Sequence, residues 1–100
     1  MISAKEAKKL MDSGADITIV DVREPSEYKT GHIKNAILLP VGKIAGLAAT
    51  DLPDLNATII VYCRSGMRSS AAASTLVGLG YTHILDLGGL SSWPYDVVTD

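Results

Sequence analysis

The sequence predicts a single α/β domain, a mainly parallel sheet flanked by helices on both faces, and three observations carry that prediction. Strand-like and helix-like segments alternate along the chain, the pattern of a parallel sheet wrapped by its own crossover helices. Thr58-Ile59-Ile60-Val61-Tyr62 is an apolar run without polar alternation, as expected of a central strand covered on both faces. A length of 100 residues with 47% hydrophobic and 20% charged residues suits one packed core and is too poor in charge for a disordered tail. One domain over residues 1–100 is the expectation.

The elements follow in order. Ser3 with Glu6 three residues later forms a capping-box signature opening a helix over Ala4 to Met11, and Gly14 stops it. Ile17 to Val22 is rich in β-branched residues and reads as a strand, after which Pro25 opens a short helix through Lys29. Ala36 to Leu39 is a short apolar run ended by Pro40. Val41, Ile44, Leu47 and Ala48 then recur at helical spacing despite Gly42 and Gly46. After the Thr58–Tyr62 strand and the segment Cys63 to Arg68, a helix rich in small residues is predicted from Ser69 to Leu79, closed by Gly80. His83 to Leu87 is the last strand, followed by Gly88-Gly89 and Trp93.

Composition excludes several function classes. Nine basic against eleven acidic residues leave a net charge of -2, so no overall positive field draws nucleic acid or an anionic membrane. No apolar run approaches the roughly 18 residues that span a bilayer, and the N-terminus lacks a basic-then-apolar leader pattern, so a cytoplasmic location is expected. One cysteine allows no internal disulfide. With only His32 and His83 beside it, no metal-ligand spacing is present, and no cofactor is implied.

Cys63 is therefore a core residue or a reactive thiol. Its position at the end of a buried strand alone favours packing. The residues after it reverse that, because a strand leading into Cys63-Arg64-Ser65-Gly66-Met67-Arg68-Ser69 and then a helix sets the thiol against unpaired N–H groups and a positive helix end. Arg64 and Arg68 add two cations near in sequence, surroundings that lower a thiol pKa from about 8.5 into the range ~3.5–7.5. Gly66 permits a turn with inward N–H groups, and Ser65 and Ser69 are further donors.

Three stretches together resemble the rhodanese-like sulfurtransferase family over nearly the whole chain. They are Asp21-Val22-Arg23-Glu24-Pro25 through Tyr28 to Gly31-His32-Ile33 and Ala36; Cys63 to Ser69; and Gly88-Gly89 with Trp93. The resemblance implies about five strands, with Met1 to Ser3 as a short edge strand. It also implies a ping-pong reaction in which Cys63 takes a sulfane sulfur from thiosulfate or a persulfide. Cyanide, a thiol or an acceptor protein then removes that sulfur. Arg64, Ser65, Gly66, Met67, Arg68 and Ser69 would form the binding loop, with Arg64 or Arg68 neutralising an anionic donor. Thiosulfate-specialised two-domain members carry a basic residue where this chain has Glu27 and another where it has Ser65, which implies weak thiosulfate binding and leaves a persulfide or protein donor equally open.

Two other readings compete. Related phosphatases and arsenate reductases also ring an anion with a cysteine and an arginine, but their pattern has five intervening residues, whereas four separate Cys63 from Arg68. A non-catalytic rhodanese-like module is the other, although such modules commonly lack the cysteine kept here. Asp21 and Arg23, after a buried strand, are expected to form an ion pair or loop-bracing hydrogen bonds, with a supporting role beneath the site as the alternative. His32 and His83 are expected to be structural, Trp93 a core plug, Lys5 and Lys9 solvated, and Met67 either an acceptor contact or a packing residue.

Overall fold

The computed structural model describes residues 1–99. Four strands, β1 (Ile17–Asp21), β2 (Ile37–Leu38), β3 (Thr58–Cys63) and β4 (His83–Gly89), form one parallel sheet in the order β2-β1-β3-β4. The helices are α1 (Ala4–Asp12), α2 (Pro25–Thr30), α3 (Ile44–Asp51) and α4 (Met67–Gly78). α1 begins with the expected capping box: the Ser3 hydroxyl accepts from the Glu6 N–H at 3.1 Å, and Glu6 Oε1 accepts from the Ser3 N–H at 3.2 Å. Pro25 opens α2.

The parallel run read at Thr58–Tyr62 is central, paired to β1 on one side and β4 on the other. One face of the sheet packs Val20, Ile59 and Val61 against Ile44, Ala48, Ala72 and Leu76 of α3 and α4. The other packs Ile19, Ile60 and Tyr62 against Ile2, Ala7 of α1, Tyr28 of α2, Ile33 and Trp93. Helices thus cover both faces, as the alternation of elements predicts.

Several boundaries differ from expectation. The first residues add no fifth strand: Ile2 donates one backbone bond to the Asp86 carbonyl at 3.0 Å, and Ser3 already caps α1, which leaves no length for a ladder. The helix expected from Val41 winds its first turn, Val41–Lys43, as 3-10 before α3. α4 begins at Met67, two residues before Ser69, because Gly66 occupies the N-cap with φ +107°, a conformation that L side chains rarely adopt. Met67, Arg68 and Ser69 therefore belong to the first helical turn.

The chain leaves β1 toward β2 and leaves β3 toward β4, in opposite directions across the sheet. The carboxyl ends of β1 and β3 flank this switch point, where open α/β sheets hold their ligands. Asp21 and Cys63 lie there.

Candidate active site

β3 delivers Cys63 fully buried at its carboxyl end. The loop then doubles back so that the Gly66 N–H donates to Cys63 Sγ at 2.9 Å. Burial opposes ionisation of the thiol, yet the hydrogen bonds outweigh it. The Ser69 hydroxyl and the N–H groups of Ser69, Gly66 and Ser65 favour the thiolate and bring the pKa below the ordinary cysteine value. The Ser69 hydroxyl is aimed at the carbonyls of Gly66 (3.1 Å) and Gly88 (3.4 Å). Its single proton can turn to the sulfur when charge develops there.

What seats this loop comes from β4. The β3–β4 register shifts between Val61 and Tyr62, so Val61 lies opposite Asp86 while Tyr62 lies opposite Gly88 and Cys63 opposite Gly89. This bulge, fixed by the Gly88 N–H donating to Asp86 Oδ1 at 2.9 Å, runs β4 directly against the loop. A Cβ on Gly89 would lie 2.6 Å from the Arg64 carbonyl oxygen and 2.9 Å from Ser65 Cα, so only glycine fits. Paired glycines at a strand end were the sequence signal for this contact, but nothing in a linear reading says which backbone they admit.

The structure separates the two loop arginines. Arg68 is engaged by Glu27 of α2, Nη1 to Oε1 at 2.6 Å and Nη2 to Oε2 at 2.9 Å. The hydrogen bond from Arg68 is the chief reason that the Glu27 carboxyl is pulled down to about 2. Arg68 still lies near enough to Cys63 for thiolate charge to favour its protonated form. Arg64 is exposed and makes no ion pair among the described residues. Glu27 is thus a site residue that the candidate set lacked. Ser65 in the loop and Met67 at the start of α4 stand exposed, and Met67, 82% exposed, does not pack.

Asp21 and Arg23 form the expected ion pair. Asp21 Oδ2 accepts from Arg23 Nη2 at 2.8 Å, and Oδ1 accepts from Nε at 3.0 Å and from the Arg23 N–H at 2.9 Å. Arg23 Nη2 also donates to the Gly31 carbonyl at 2.6 Å, and the guanidinium lies 5.7 Å from the Tyr62 ring centre. His32 stacks on Tyr28 at 3.6 Å, with Nδ1 2.9 Å from the Tyr28 carbonyl, a structural setting. His83 is exposed and contacts the Thr82 hydroxyl, and Lys5 and Lys9 are exposed. Trp93 packs on the sheet face opposite Cys63.

A cleft of about 500 Å³ opens beside the loop, lined by Arg23, Ser26, Glu27, Thr30, Arg64 and the Leu90–Ser91 turn. A larger groove of about 870 Å³ lies between α1 and the segment around Trp93, against the first half of β1, and contains none of the loop residues. Of the two, the smaller cleft is the one that borders the cysteine loop, through Arg64.

A parallel α/β domain that sets its lone thiol at the switch point, under the Gly66 N–H and before the first turn of α4, is a cysteine-loop domain. The rhodanese-like domain model matches residues 3–95, and the chain belongs to that family. It is 41% identical over 71 residues to thiosulfate sulfurtransferase PspE of Escherichia coli, covering 71% of this chain and 68% of that relative. It is 32% identical to the probable adenylyltransferase/sulfurtransferase MoeZ of Mycobacterium tuberculosis, over 99% of this chain but only 26% of the larger relative. Among solved structures, a rhodanese with anions from E. coli superposes with a TM-score of 0.78 at 36% identity, covering 84% of this chain and 99% of that one. Rhodanese-type sulfur transfer is the general function these relatives support.

Proposed function

We propose that this chain carries sulfane sulfur as a Cys63 persulfide. The observation that carries the reading is the Gly66 N–H on Cys63 Sγ at 2.9 Å, within a loop whose donors favour the thiolate. The thiolate attacks the outer sulfur of a donor such as thiosulfate. A Cys63–sulfur bond forms, the donor S–S bond breaks, and its electron pair leaves with sulfite. The terminal sulfur keeps one negative charge, which the loop N–H groups and the Ser69 hydroxyl are suited to hold. Cyanide, a thiol or an acceptor protein then attacks that sulfur and restores the Cys63 thiolate. No general base is needed at a thiol already biased toward its ionised form.

The complete loop and retained cysteine favour this over a non-catalytic module. The four-residue spacing to Arg68 and the engagement of Arg68 by Glu27 disfavour a phosphatase, which needs its arginine on the phosphate. Intact-mass analysis after incubation with thiosulfate or an organic persulfide should reveal one added sulfur, removed by reductant and absent in Cys63→Ala. No adduct with either donor refutes the persulfide reading, and aryl phosphate turnover lost in Cys63→Ser would support the phosphatase.

A further inference from the structure

The charges around the cleft nearly all come in closed pairs. Arg23 is consumed by Asp21 and the Gly31 carbonyl. The Glu27 carboxylate is fixed by three donors from two elements: both Arg68 nitrogens, and the Glu24 N–H at 3.0 Å to Oε1. The side chains of Arg68 and Glu27 are only 33% and 25% exposed, so an arriving anion must compete with a partly desolvated, two-pronged bond to reach Arg68. Arg64, exposed on the cleft wall, is the cation of this cleft with no carboxylate partner among the described residues. A donor carrying two negative charges that enters this cleft meets one open cation, Arg64, so its second charge goes uncompensated.

We propose that Glu27 determines donor specificity: by occupying Arg68 it leaves Arg64 as the anion-receiving arginine, and so favours singly charged sulfane donors over the doubly charged thiosulfate. This rests on sulfur transfer at Cys63. Ethanethiosulfonate provides the matched probe. It presents the same outer sulfur, carries one charge less, and releases ethanesulfinate where thiosulfate releases sulfite. With cyanide as acceptor both donors yield thiocyanate and return the thiolate, so one assay reads both.

The measured quantity is kcat/KM for thiosulfate divided by that for ethanethiosulfonate. Glu27→Gln keeps an oxygen to accept the Glu24 N–H, preserving the start of α2, while freeing Arg68; the ratio should rise about tenfold, the scale of one partly screened charge a few ångströms away. Arg68→Ala leaves the Glu27 carboxylate bare, so there the ratio should fall below the native value. Both changes should shrink as salt is raised. A bond that merely ties α2 to the loop would depress both donors together, so an unchanged ratio in both variants overturns the proposal while sulfur transfer stands. Failure of native protein to form thiocyanate from either donor overturns the sulfur-transfer reading and the proposal with it.

Discussion

Two arginine–carboxylate pairs lie within one site and do opposite work. Asp21–Arg23 joins residues two apart and is sealed, with side chains 0% and 6% exposed. Glu27–Arg68 joins residues 41 apart and stays in contact with solvent. The first pair bonds the aspartate to both the backbone N–H and the guanidinium of Arg23, and that guanidinium reaches on to Gly31. It holds the switch point together from beneath. The second spans from α2 to the first turn of α4, so it touches the fold lightly and the electrostatics of the cleft directly. Identical functional groups thus meet opposite surroundings, one pair sealed inside the fold and the other open to water.

Breaking the buried pair should have the largest effect. Asp21→Ala strands Arg23 without its counter-charge and should cost about 3–5 kcal/mol, read as a lowered urea midpoint. Glu27→Gln, at a pair that stays in contact with solvent, should cost less at neutral pH. Equal losses in the two variants would erase the distinction drawn between the pairs.

Acid sharpens the same contrast. Glu27 has its folded pKa lowered to about 2 from 4.5, chiefly by the hydrogen bond from Arg68. A depressed carboxyl pKa contributes stability that is fully present above the unfolded value and is lost as pH falls through the folded one. The stability difference between native protein and Glu27→Gln should therefore be constant above about pH 5 and shrink toward pH 2. A difference independent of pH over that window would show that the ion pair does not act on folding. Ser69→Ala, the loss of a single hydroxyl, makes the smallest change. It removes a hydroxyl that favours the Cys63 thiolate and should move the iodoacetamide alkylation profile to higher pH. An unmoved profile would assign the thiolate bias to backbone N–H groups alone.

Much of the fold was legible because its signals are local. The capping box at Ser3 and Glu6, Pro25 at the start of α2 and the apolar run of β3 each depend on residues a few positions apart. The Asp21–Arg23 pair was legible for the same reason. Local pattern places the start of α4 two residues late, since Gly66 serves both as turn and as N-cap. The extension of β4 through Gly88-Gly89 was missed because a bulge depends on the partner strand's register.

The sequence by itself determined the alternation of strands and helices, the central β3, and a lone thiol at a strand–loop–helix junction, all consequences of short-range pattern and periodicity. Only the tertiary structure decided that Glu27 would take Arg68, that Gly89 would admit the Arg64 carbonyl, and that Arg64 would stand open on the cleft. Those contacts join residues 25 to 41 positions apart. Side chains so distant meet only when sheet order and register bring their elements together, and no local propensity encodes that meeting.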